Sequence, residues 1–156
     1  ILIKIMFNGI PGAGKPGKRK IERKERKMER IYSYTRQEAI EDGMLIDISE
    51  TKEAREAGFK IPVCLTVGVH ALVDVPKGFE GFQDYTGRLW DTVYMATYAV
   101  REKKKQGASA EDMRIVAFKV VYLMPAKTKE FKQVPYDLWL VFNEHEGFTI
   151  MLPEEY

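Results

Sequence analysis

The sequence predicts an α+β fold: short N-terminal helices and one long central helix packed on an antiparallel sheet with a C-terminal three-strand meander. Three observations lead there. Helix-starting and helix-stopping residues bracket short segments between 35 and 58. From 88 to 105, Leu89, Trp90, Val93, Tyr94, Ala96, Tyr98 and Val100 put apolar groups on more than one face, as a central helix requires. Strand-like segments at 114–124, 135–143 and 147–152 close the chain, the last two joined by the tight turn Glu144-His145-Glu146-Gly147.

Each element has a local reason. Ile1 to Phe7 is apolar and β-branched, as in a strand, and a loop rich in glycine and proline follows to Gly17. Lys18 to Arg30 holds helix formers with only Ile21 and Met28 among the charges, so helix there rests on side-chain pairs such as Glu22–Arg26, worth about 0.2–0.5 kcal/mol each. Thr35 and Glu38 have capping-box spacing and open a helix over 36–42, with Gly43 as its left-handed stop. Residues 44–48 read as a strand, and 49–57 as a helix stopped by Gly58. From Pro62 to Val75 every odd position is apolar, which on periodicity alone argues for a strand; Thr66 can instead cap a helix. Residues 78–85 form a loop with glycines and aromatics, and 125–134 a solvated hairpin loop bearing Lys127, Lys129 and Lys132.

With 156 residues, 45% hydrophobic and 31% charged, the chain has the makings of one soluble domain with an ordinary core. Charge divides it in two. Nine basic and three acidic residues lie between Lys15 and Arg30; the overall +2 is the balance of +6 in this arm, +1 from Lys4 and −5 over 31–156. The expected organisation is an N-terminal extension over 1–30 and a single globular α+β domain over 31–156. One cysteine, Cys64, precludes an intramolecular disulfide and suits a reducing cytoplasm. The apolar start precedes the charged region, the reverse of a secretory signal, and no apolar run suggests a membrane partner. The expected location is cytoplasmic.

Four blocks in the body resemble an uncharacterised family of small proteins, a domain of unknown function found in phages, plasmids and integrating elements. They are Tyr32-Ser-Tyr-Thr-Arg-Gln-Glu-Ala-Ile-Glu-Asp-Gly43, Ala54-Arg-Glu-Ala-Gly-Phe59 with Pro62-Val63 and Leu65-Thr66, Gln83-Asp-Tyr-Thr-Gly-Arg-Leu-Trp-Asp91, and Thr149-Ile-Met-Leu-Pro-Glu-Glu155. The resemblance covers about 31–156 and leaves 1–27 outside, with a natural start near Met28 compatible with it. It implies a helix over 66–74, with His70 where the family carries Trp. It also implies a mobile-element origin, and it carries no established activity.

Three groups of residues bear on function. Gly9-Ile-Pro-Gly-Ala-Gly14-Lys15 has phosphate-loop spacing, but Pro16 stands where a magnesium-binding hydroxyl belongs, so Gly9, Gly14 and Lys15 form a degenerate nucleotide site at best. Lys18, Arg19, Lys20, Arg23, Lys24, Arg26 and Lys27 can neutralise nucleic-acid phosphates with counterion release; a solvated charged tail is the plainer reading. Asp84, Arg88 and Asp91 share one face if a helix begins near Asp84, and are expected to form an ion-pair network fixing the loop to the central helix, beside a buried Trp90. His70 and His145 lack metal-ligand spacing, and Cys64 reads as a core residue. No catalytic residue, metal or cofactor is assigned. The expected function is therefore a non-enzymatic interaction or regulatory module of a mobile element, acting on a host or element-encoded protein. A nucleic-acid binder using arm 15–30 and a nucleotide binder using 9–15 are the alternatives.

Overall fold

A computed structural model describes residues 34–127 and 130–156. The strand expected over 1–7, the degenerate phosphate loop, the basic arm and Lys129 lie outside the described residues.

The first helix among the described residues, α1 (Arg36–Glu41), opens on the expected box. Thr35 Oγ1 accepts from Glu38 N at 3.1 Å and Glu38 Oε2 accepts from Thr35 N at 2.7 Å. Bonding to Thr35 holds the Glu38 carboxyl below its ordinary value. Gly43, with φ +74°, turns the chain into β1 (Leu45–Asp47). Thr51 caps α2 (Lys52–Ala57) and Gly58, at φ +104°, ends it.

Strand β2 (Val63–Thr66) leads directly into α3 (Val67–Val73). The alternation over 63–75 therefore describes a strand only as far as Thr66, whose side chain accepts from Val69 N at 3.4 Å and caps the helix. Beyond it the buried residues are Val69 and Val73, spaced four apart as on a helix, while Val67 is exposed. The helix expected from the family resemblance is present.

The long helix is α4 (Tyr85–Lys105), three residues longer at its start than periodicity suggests, because Asp84 accepts from Gly87 N at 2.6 Å and caps it there. Lys103, Lys104 and Lys105 occupy its last turn, where cations complement the helix dipole. Strands β3 (Ile115–Pro125), β4 (Phe131–Asn143) and β5 (Gly147–Met151) form the expected meander. The loop predicted over 125–134 is shorter: Ala126 N donates to Glu130 O at 3.0 Å, and Lys132 already lies on β4 opposite Met124.

The strand order is β1-β2-β5-β4-β3. The α+β class holds, but the sheet is mixed instead of antiparallel throughout, because β2 runs parallel to β5. Val116, Phe118, Val120, Tyr122, Leu138, Leu140, Phe148, Ile150, Val63 and Leu65 turn one face toward α4, whose Leu89, Val93, Ala96 and Val100 complete the core. Alternate residues point the other way, where Arg36 of α1 donates to Thr149 Oγ1 at 3.1 Å and Tyr156 packs on Trp139 with ring centroids 5.5 Å apart.

The parallel pair depends on one close approach. Phe148 N donates to Pro62 O at 2.8 Å, and Gly147, at φ +96°, has no side chain to strike that carbonyl. Gly147→Ala adds a strained backbone and a backbone clash, and is expected to lower unfolding free energy by about 2–4 kcal/mol in urea denaturation.

Candidate functional site

The described residues line an open cleft of about 370 Å³ at the head of α4, walled by the 80–84 loop, the first turns of the helix and the end of β3. All three members of the predicted polar cluster are there. Asp84 is the helix cap, Arg88 lies beneath, and Asp91 stands one turn further along.

Their relation differs from the expected ion-pair network. Arg88 is 3% exposed, and neither aspartate is its bonding partner. Nε donates to Gln83 Oε1 at 2.5 Å. Nη1 donates to Leu72 O at 2.9 Å and Asp74 O at 3.3 Å. Nη2 donates to Leu123 O at 2.7 Å and meets Met124 Sδ at 3.7 Å. A guanidinium has five N–H groups, and each has an uncharged acceptor here. The guanidinium carbon also lies 5.3 Å from the centroid of the Tyr122 ring. Arg88 therefore ties the end of α3, the 80–84 loop, α4 and β3 together, and has no donor left for a ligand.

A second polar chain runs inward from it. The Thr92 hydroxyl donates to Arg88 O at 2.7 Å, which leaves its oxygen to accept from the Tyr122 phenol at 2.5 Å. Burial pushes Tyr122 up to about 12 from 10.0. Partial burial raises the Asp91 carboxyl as well, although the residue as a whole sits on the exposed side of α4. Trp90 is half-buried and stacks on Tyr94, with centroids 5.8 Å apart.

Beside the carboxylates lies an aromatic group that sequence reasoning missed. Phe82 is 71% exposed and Phe131 40%, yet their rings meet at 4.9 Å, and Phe79 joins Phe131 at 5.3 Å. Phe79 and Phe82 were visible as aromatics in a glycine-containing loop. Phe131 comes from β4, and nothing local connects it to them.

The remaining candidates are elsewhere. Cys64 is fully buried in β2 and burial raises its thiol, as befits a core residue. His70 is half-buried with its ring 5.7 Å from that of Tyr85, and His145 is exposed in the β4–β5 turn beside Glu144. Among the described residues, no three His, Cys, Asp or Glu are placed to hold a metal ion, and no helix is long and apolar enough to cross a membrane. Comparison with protein-family models, with curated proteins and with solved structures finds no match to this chain.

Two outcomes follow from the clamp. Arg88→Lys supplies three donors from one point where five acceptors are spread around a plane, and is expected to cost about 2–4 kcal/mol of stability by urea denaturation. For Tyr122, the unfolded chain releases its proton near 10.0 and the folded chain near 12, so its contribution is complete below pH 10.0 and is lost as pH rises toward 12. Urea midpoints across that window should fall less steeply for Tyr122→Phe than for the wild type.

Proposed function

We propose that this chain is a non-enzymatic interaction module, an accessory protein of a mobile genetic element acting in the cytoplasm of its host, with the cleft face as its working surface. The observation that carries the reading is the Phe79–Phe82–Phe131 group, in which Phe82 and Phe131 are exposed and Phe79 is half-buried, beside the carboxylates of Glu80, Asp84 and Asp91. Large aromatics held in water next to a polar rim are a recurring composition of protein-binding surfaces, where a few such residues supply most of the affinity. The group in the cleft best suited to polarise a substrate, Arg88, is occupied in holding the fold. The mobile-element setting rests on the resemblance of the four sequence blocks.

The +6 arm supports a second reading, nucleic-acid binding through Lys18, Arg19, Lys20, Arg23, Lys24, Arg26 and Lys27. The two readings separate cleanly. Phe82→Ala is expected to leave stability within about 0.5 kcal/mol of wild type, because so little of Phe82 is buried. It is also expected to weaken capture of a host or element protein by roughly 30-fold. Replacing the seven arm cations with Gln should leave that capture intact. Tight, steeply salt-dependent DNA or RNA binding lost only in the arm variant would favour the second reading. Turnover of a nucleotide or nucleic acid by the full chain, abolished by Asp91→Asn, would overturn the first.

A further inference from the structure

Among the described residues the sheet ends at β3, which pairs there with β4 alone. The outward direction of its backbone can be read from the hydrogen bonds at its ends. Arg114 O accepts from Phe142 N at 2.8 Å and Ala126 N donates to Glu130 O, so the even-numbered residues face β4. Odd-numbered residues face outward: Ile115 O accepts from Lys103 Nζ at 3.0 Å and Leu123 O from Arg88 Nη2 at 2.7 Å, both donors coming from α4. The helix rises about 22 Å between Arg88 and Lys103, against about 26 Å of strand between Leu123 and Ile115. It thus runs alongside β3 and occupies the two ends of its edge. Between them Ala117, Lys119 and Val121, all exposed, direct their N–H and C=O groups away from the sheet.

This open stretch ends at the cleft, whose lining includes both Val121 and Tyr122. On the α4 side of the edge the cleft presents Glu80, Asp84 and Asp91, and Arg88, the cation among the described residues that line it, is buried against uncharged acceptors. We infer that the outer edge of β3 at 117–121 is a docking site for an extended segment of a partner protein, which adds as a further strand and carries basic side chains into the cleft. The inference rests on the interaction reading above and names its geometry and its partner's chemistry. Main-chain hydrogen bonds hold such a strand, and alternate side chains determine which segments fit. The charge of the cleft selects lysine or arginine on the side facing α4. A second copy of this chain fits poorly: symmetric antiparallel pairing centred on the open stretch sets Lys119 against Lys119, a like-charge pair.

The test uses the full chain and a displayed library of twelve-residue peptides. Enrichment of sequences with basic residues at alternate positions is expected. For the best synthetic peptide, Val121→Pro should weaken binding about tenfold, since it removes one outward N–H where proline is tolerated at a sheet edge. Asp91→Asn should weaken it several-fold at low salt, with the difference shrinking as salt rises. Amide hydrogen exchange is the direct readout and needs no variant. Peptide should slow exchange at 117, 119 and 121, while 116, 118, 120 and 122 are slow already. Four results overturn the inference. No enrichment does so while leaving the broader reading to its own test. Peptides lost on Phe82→Ala but indifferent to Val121→Pro, with 117, 119 and 121 unprotected, keep the interaction reading and remove the edge. Slow exchange at those three amides in the free monomer means that the chain's own residues cover the edge. Slow exchange that appears only with concentration-dependent dimerisation makes a second copy the occupant.

Discussion

The burial of one guanidinium constrains everything at the head of the long helix. Withdrawing a charge from water costs several kcal/mol even after relaxation, and the usual remedy is a carboxylate partner. Arg88 has carbonyls, one amide and one thioether instead. Three of those carbonyls belong to the end of α3, the residue following it and the far end of β3, so the charge is stabilised only when all of these come together around α4. A planar fork with five donors can serve such a ring of acceptors, which a single ammonium cannot. The Tyr122 ring covers the group and its hydroxyl reaches the Arg88 carbonyl through Thr92, which joins side chain and main chain of the same residue into one network. The cleft above takes its shape from this closure, and neither of its aspartates is bonded to the guanidinium.

The elements that sequence reading placed well are those whose causes are local. A capping box needs residues three apart, and a left-handed stop needs one glycine; α1 shows both where Thr35, Glu38 and Gly43 require them, and α2 shows the second at Gly58. The meander was legible because its strands are consecutive and apolar. Boundaries shift where one residue does two jobs. Thr66 ends β2, caps α3 and donates to Glu155 at 2.6 Å, so a period of two runs unbroken into a segment that folds with a period of 3.6. The parallel contact of β2 with β5 joins residues far apart in the chain and hangs on Gly147, whose role appears only when Pro62 is beside it.

The site was half legible for the same reason. Spacing placed Asp84, Arg88 and Asp91 at one end of one helix, and the fold does bring them to one cleft. Spacing also suggested that they pair with each other. The acceptors that take Arg88 instead are mostly backbone carbonyls from residues 72, 74 and 123, and a carbonyl has no signature in a sequence. Phe131 was invisible as a surface aromatic until the β3–β4 hairpin carried it to Phe79 and Phe82.

Edge strands are a hazard that proteins commonly blunt with charge, bulges or a covering element. Here the covering is partial in a specific way. The same helix that Arg88 locks to Leu123 is fastened by Lys103 to Ile115, and Lys103 also binds Asp112 O at 2.5 Å to hold the approach to the strand. Both fasteners are long side chains reaching the ends of the edge, and between them no side chain from α4 reaches the outward groups of Ala117, Lys119 and Val121 among the described contacts. Lys119 itself is drawn across the strand pair to Asp137, which keeps a charge at the centre of the opening without closing it. Such an edge resists its own copies and suits a strand that carries its basic side chains on the α4 side, toward the cleft carboxylates and away from the face that bears Lys119. In this fold, stability and accessibility have one source: the contacts that fix the helix to the sheet also determine where the sheet stays open.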